Sequence, residues 1–200
     1  MNVMRVAPAF AVIATVTLAS GASSLSGFVP QGRAPVAGIS LPEVHAHRPP
    51  VAFHFKAAAG HTLFVYFGYA SCPDVCPTTL SDLKRALGKM GDRARLVDVA
   101  FVTVDPERDQ PQLLEPYLTS FIKGAHPLRP SSRAQLETAE RAFGAASSVS
   151  RDSAGFVEVS HTATSYLVDD SGRIVDEWSF GTTPAAMAAD LNLLLDRGKR

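Results

Sequence analysis

The chain has 200 residues, of which 46% are hydrophobic and 19% charged, with 19 Lys and Arg against 19 Asp and Glu. This suits one globular domain with a sizeable core plus a tail. With no basic excess and no acidic run, nucleic acid or another highly charged polymer is a poor candidate partner.

Residues 1–22 hold one basic residue, Arg5, followed by an apolar or small run from Val6 to Ala19 and then Ser20, Gly21 and Ala22. This pattern reads as an export signal, or as an uncleaved anchor if the run extends to a membrane span. Either reading puts the folded part on the extracytoplasmic side, where disulfides persist. Residues 23–44, rich in Gly, Ser, Pro and Ala, read as a linker to a domain over residues 45–200.

His45, His47, His54 and His61 cluster at the start of that domain. Val51, Phe53 and Phe55 alternate with Ala52 and His54, a strand pattern. Metal capture and plain solvated histidines on an edge strand are the two readings. Pro49 and Pro50 break any regular ligand array and favour the second.

Leu63 to Phe67 is a buried-strand run ending at Gly68. Leu80, Leu83, Leu87 and Met90 recur at helical spacing, and Gly91 supplies a C-cap. Residues 96–104 are a second buried strand, ending in Asp105-Pro106-Glu107-Arg108-Asp109. Strand, helix, strand predicts a parallel pair, adjacent or nearly so, with both carboxyl ends on one rim.

Residues 110–122 are helical by period, with Pro116 costing a backbone bond. Ser132 and Gln135 form a capping box for a helix that buries Leu136, Ala139 and Phe143. Residues 145–155 read as a polar loop, and Phe156 to Val159 as a short strand. Thr164 to Val168 and Arg173 to Trp178 form an antiparallel hairpin across a tight turn. Thr183 caps a last helix with Pro184 at its first position, burying Met187, Leu191, Leu194 and Leu195. The order suggests an α/β, thioredoxin-like fold: a mixed central sheet flanked by helices.

The only cysteines, Cys72 and Cys76, sit in Cys72-Pro73-Asp74-Val75-Cys76-Pro77 at the mouth of the first helix. A structural disulfide would close so short a loop that it removes little unfolded-state entropy. Redox exchange is favoured by a helix N-terminus, which stabilises thiolate, although the spacer is three residues instead of the usual two. A metal site is the third reading, since paired thiolates select soft ions such as Cu(I) or zinc. Pro77 argues that both cysteines lie in the loop ahead of the helix. Two thiolates under-fill a zinc site, so a third donor is expected, and His161 is the best candidate. Two sulfurs and an imidazole suit three-coordinate Cu(I), or Cu(II) with an added ligand. A thiol peroxidase is disfavoured, because Tyr69 and Pro73 stand where Ser or Thr would precede the reactive cysteine. The Asp105–Asp109 loop either supports the site or is a turn held by Arg108.

Phe67-Gly68-Tyr69 ahead of Cys72-Pro73-Asp74-Val75-Cys76-Pro77-Thr78-Thr79-Leu80, then Val102-Thr103-Val104-Asp105-Pro106-Glu107-Arg108-Asp109, then His161 before Tyr166-Leu167-Val168-Asp169 resemble the SCO/SenC family. That family comprises copper-binding proteins of cytochrome c oxidase assembly. The resemblance implies a thioredoxin-like fold, membrane tethering on the periplasmic side of the inner membrane, and copper held by Cys72, Cys76 and His161. It implies metallochaperone delivery of copper to the CuA centre of oxidase subunit 2, with another copper chaperone as a further partner. The alternative it carries is thiol–disulfide reduction of that subunit's cysteines. Ser160 departs from the family's usual Asp before the histidine.

Overall fold

A computed structural model describes residues 24–198. The expected signal or anchor, residues 1–22, lies outside them. Among the described residues no helix is long and apolar enough to cross a membrane.

Two antiparallel strands come first, β1 (Ser40–His45) and β2 (Arg48–His54). Next are β3 (Thr62–Gly68), α1 (Val75–Met90), β4 (Val97–Thr103) and α2 (Pro111–Phe121). A three-residue strand β5 (His126–Leu128) leads to α3 (Arg133–Phe143). The chain closes with β6 (Ser147–Arg151), β7 (Val157–His161), β8 (Ser165–Val168), β9 (Ile174–Trp178) and α4 (Pro184–Arg197). Seven strands form one mixed sheet in the order β2-β1-β5-β4-β3-β8-β9, and β6 and β7 form a separate ribbon. The helix-flanked, thioredoxin-like sheet is the one the element order implied.

β3 lies inside the sheet and is buried along its whole length, which is why its sequence reads as a continuous apolar run. Phe64 and Tyr66 join Leu80, Leu83, Leu191 and Trp178 in one core. Leu63, Val65 and Phe67 join Leu136, Ala139 and Phe143 in the other. Each large side chain buried this way contributes about 1.5–3 kcal/mol relative to exposure. Such packing holds β3 and β4 in a parallel register from Thr62↔Val97 to Gly68↔Thr103. Both strands therefore end at the same level, and Val104 N donates to Gly68 O (2.8 Å).

Several sequence expectations change. Residues 24–44 are not a free linker: Val36, Leu41 and Val44 are buried, and β1 belongs to the main sheet. Phe28 bridges Glu177 through two backbone hydrogen bonds of 2.9 Å. Ser26 N donates to Asp190 (3.0 Å), whose carboxylate also accepts from Trp178 Nε1 (3.0 Å). Only glycine fits at position 27, where a Cβ would lie 2.3 Å from Asp176 Oδ1. Low-complexity composition concealed the part over residues 26–36 because it bonds to α4, β9 and the turn before β9, more than a hundred residues away, whereas Ser40–His45 forms a local hairpin with β2.

Pro116 lies inside α2, and the helix continues through it on an exposed face, where the carbonyl deprived of a partner can be solvated. Ser132 caps α3 by accepting from Gln135 N (3.2 Å), as expected. The return bond differs: Gln135 Oε1 accepts from Ser131 N (2.7 Å). The expected polar loop at 145–155 contains β6, a polar strand paired with β7 alone.

Candidate metal centre

Cys76 is not in the loop ahead of the helix, as Pro77 had suggested, but in the first turn of α1. Pro77 is tolerated there because first-turn amides have no intrahelical acceptor to lose. Cys76 begins the core-facing stripe that continues through Leu80, Leu83 and Ala86, and it is fully buried. Cys72 remains in the loop and is half-buried. Its Sγ accepts a hydrogen bond from Cys76 N (3.4 Å), replacing the side-chain cap that Asp74 does not provide.

The two sulfurs differ in electrostatics. Burial pushes the Cys76 thiol well above its ordinary range, outweighing a backbone hydrogen bond near Tyr69. Burial also pushes Cys72 upward, but the amides of Cys76 and Asp74 and the side chains of Cys76 and Tyr69 more than reverse it. Cys72 is therefore the more acidic thiol.

His161 ends β7 and reaches the same rim because β8, four residues on, pairs antiparallel with β3, with Ser165 opposite Tyr66. Its Nδ1 donates to Thr162 O (3.0 Å), which fixes the tautomer and leaves the Nε2 lone pair facing Cys76 Sγ at 3.5 Å. Burial lowers the His161 pKa against the Thr162 hydrogen bond, so the ring is held neutral. Its plane is near-perpendicular to both Tyr66 (6.0 Å) and Tyr69 (5.8 Å), an edge-on packing that fixes its orientation.

Donor atoms of Cys72, Cys76 and His161 all lie within 4.8 Å of one another. Two soft sulfurs and one neutral imidazole, drawn from a loop, a helix and a separate ribbon, can converge on one ion. No other such group of three occurs among the described residues. The set fits a soft, low-coordinate cation and leaves a hard, oxygen-seeking one unsatisfied.

The other candidates do not converge. His45 lies between Glu115 (2.8 Å) and Glu43 (3.1 Å), and His61 meets Asp98 (3.1 Å). His47 and His54 are exposed, which fits the solvated reading of that cluster. Ser160 is exposed and opposite Ser148, so by strand alternation its side chain points away from His161.

Asp105 pairs with Arg108, so that loop is partly the arginine-held turn considered from sequence. Its supporting role falls to Asp109. Fully buried, Asp109 Oδ2 accepts from Ala70 N (2.9 Å) and Thr103 Oγ1 (2.6 Å), tying the cysteine loop to the end of β4. Arg108 lies over the Tyr69 ring at 5.9 Å. Gly68 is required by close approach: a Cβ there would lie 2.8 Å from Cys76 Sγ and 2.9 Å from Phe101 Cζ. Tyr66, Tyr69, Gly68 and Asp109 shape the site without any spacing rule that assigns them. The end of β3 at Gly68, the rim rule for β3 and β4, and the motifs that carry the family resemblance pointed toward Gly68, Tyr69 and Asp109.

A family model described as SCO1/SenC matches residues 51–196. The chain belongs to the SCO1/SenC family. Protein SenC of Rhodobacter capsulatus is 30% identical over 135 residues, covering 66% of this chain and 59% of that protein. The matched stretch spans 60% of the first curated relatives' length. Among solved structures, Bradyrhizobium japonicum ScoI with copper bound is 32% identical with a TM-score of 0.65, covering 77% of this chain and 96% of that one. Apo Sco1 of Thermus thermophilus is 30% identical with a TM-score of 0.70, covering 87% and 98%. Both match the described thioredoxin-like architecture of this SCO1/SenC chain.

Proposed function

We propose that Cys72, Cys76 and His161 bind one copper ion. We propose further that this SCO1/SenC protein is a metallochaperone, receiving copper from another copper chaperone and delivering it to the CuA centre of cytochrome c oxidase subunit 2. The observation that carries the reading is the convergence of three donor atoms, all within 4.8 Å, from three separate elements. Cys76 is buried, whereas Cys72 and His161 are half-exposed. A buried sulfur can retain the cargo while incoming ligands displace the two open donors in turn. Handover therefore needs no unfolding of the site. The apolar run Val6 to Ala19 supports an extracytoplasmic location, with the N-terminus as signal or tether.

One observation favours a second reading, thiol–disulfide exchange with the same partner. Cys72 is the accessible and more acidic thiol, and Cys76 lies beside it. Cys72 thiolate would attack a partner disulfide, releasing one partner thiolate. Cys76 would then close the Cys72–Cys76 disulfide and release the second.

His161→Ala separates the two readings. The expected result is a loss of Cu(I) affinity above about 100-fold, since changes even at groups behind the ligands of metal sites cost 10–100-fold. The variant keeps its ability to form the Cys72–Cys76 disulfide. Competition with a chromophoric Cu(I) chelator and thiol counting after oxidation measure the two. Undiminished affinity would refute the three-donor site.

A further inference from the structure

We propose that the outer edge of β6 is a docking site for an extended, acidic segment of a partner protein, which adds a third strand to the β6–β7 ribbon. This goes beyond the copper reading and does not depend on it.

β6 pairs only with β7. Just outside the ribbon's two ends, Thr162 N donates to Ala146 O and Asp152 N donates to Phe156 O. Bonded and non-bonded pairs alternate along an antiparallel ladder, so these two bonds fix its phase. Ser148 and Ser150 bond inward to β7. Ser147, Val149 and Arg151 turn their backbone groups outward. The Ser147 carbonyl accepts from Arg133 Nη2 (2.9 Å), so this edge faces the start of α3. Among the described residues, the outward N–H and C=O of Val149 and Arg151 have no backbone partner. An open edge of this kind is a template for another strand.

The edge opens onto a groove of about 670 Å³, walled opposite by the Val104–Glu107 loop and the start of α3. Arg129 and Arg151 line it with Arg133, which is already paired with Glu137 (2.9 Å) and Glu140 (3.8 Å), so Arg129 and Arg151 are the cations left for a ligand. Against them stand Glu107 and Asp105, and Asp105 is already paired with Arg108. Arg129 Nε donates to Pro106 O (2.9 Å) and Arg151 Nη1 to Gly155 O (3.3 Å), and each guanidinium retains further N–H donors. Carboxylates on alternate residues of an added strand match that fork geometry. Val149, 42% exposed, offers an apolar contact on the same strand. The row of backbone donors and acceptors selects a polypeptide over a free anion, and the arginines select an acidic one. Ser147 is the cross-strand neighbour of His161, so the docked segment would lie one strand away from a metal donor.

The test uses the metal-free, reduced protein and a ten-residue peptide of alternating Glu and Val. Backbone amide spectra should show shifts and slowed hydrogen exchange at Val149 and Arg151. Binding should weaken as salt is raised. Arg129→Glu and Arg151→Glu should each weaken it about tenfold, the scale of one charge-assisted hydrogen bond. Replacing Glu by Lys in the peptide, or N-methylating alternate residues, should abolish binding; these controls do not depend on how well any protein variant folds. The proposal is overturned if the Val149 and Arg151 amides do not respond. It is equally overturned if the Lys or N-methylated peptide binds as well, or if a second copy of the chain occupies the edge in sedimentation.

Discussion

Asp109 offers the sharpest test of how the fold holds the cysteine loop. Its Oδ2 accepts two hydrogen bonds, from Ala70 N and Thr103 Oγ1, in a fully buried setting. Hydrogen bonds to a charged acceptor contribute about 1.5–3 kcal/mol each, so the two together are worth about 3–6 kcal/mol. Against this stands the cost of burying the carboxylate, which raises its pKa, and Oδ1 has no partner. The net loss expected for Asp109→Ala is about 2–4 kcal/mol, read from the urea midpoint at unchanged slope. The released Ala70–Cys72 segment should also lower Cu(I) affinity about tenfold, as loss of a supporting hydrogen bond does in metal sites. Asp109→Asn keeps an acceptor oxygen for both donors and removes the buried charge. It should lose less than about 1.5 kcal/mol, the net worth of a neutral hydrogen bond, and retain near-native affinity. If Asp109→Ala lost under about 1 kcal/mol and bound Cu(I) normally, the loop would be held by something other than Asp109.

Two further outcomes follow from close packing and buried charge. Gly68→Ala should cost about 1–3 kcal/mol, because its Cβ would press on Cys76 Sγ and the Phe101 ring, and it should weaken Cu(I) binding in chelator competition. Equal stability and affinity would mean that β3 can shift to make room. Burial, with Asp190 beside it, raises Asp176 from 3.8 to about 6. The native state then binds more protons than the unfolded state between those values, so stability falls as pH rises from 3.8 to 6. The fall is about 3 kcal/mol if Asp176 titrates normally when unfolded. Urea midpoints across that range measure it, and Asp176→Asn should remove this part of the slope; an unchanged slope would exclude Asp176 as its source.

The sequence by itself determined the elements whose signal is local. The apolar run at Leu63–Phe67, the helical stripe of Leu80, Leu83 and Met90, and the caps at Ser132 and Thr183 all follow from period and side-chain chemistry within one segment. The motif order also carried the family resemblance and nominated Cys72, Cys76 and His161. Tertiary structure decided what depends on distant contacts. The strap around Ser26 and Phe28 looks structureless because its partners, Asp190 and Glu177, are far along the chain. β6 looks like a polar loop because it is solvated on most of its surface and gains its structure only from β7. Spacing could bring Cys72 and Cys76 near each other. Only the pairing of β8 with β3 brings His161 to within 3.5 Å of Cys76, and only the fold makes the two sulfurs unequal, by burying Cys76 and directing hydrogen bonds to Cys72. Sequence records which atoms are soft donors; the folded sheet determines whether they share one point in space.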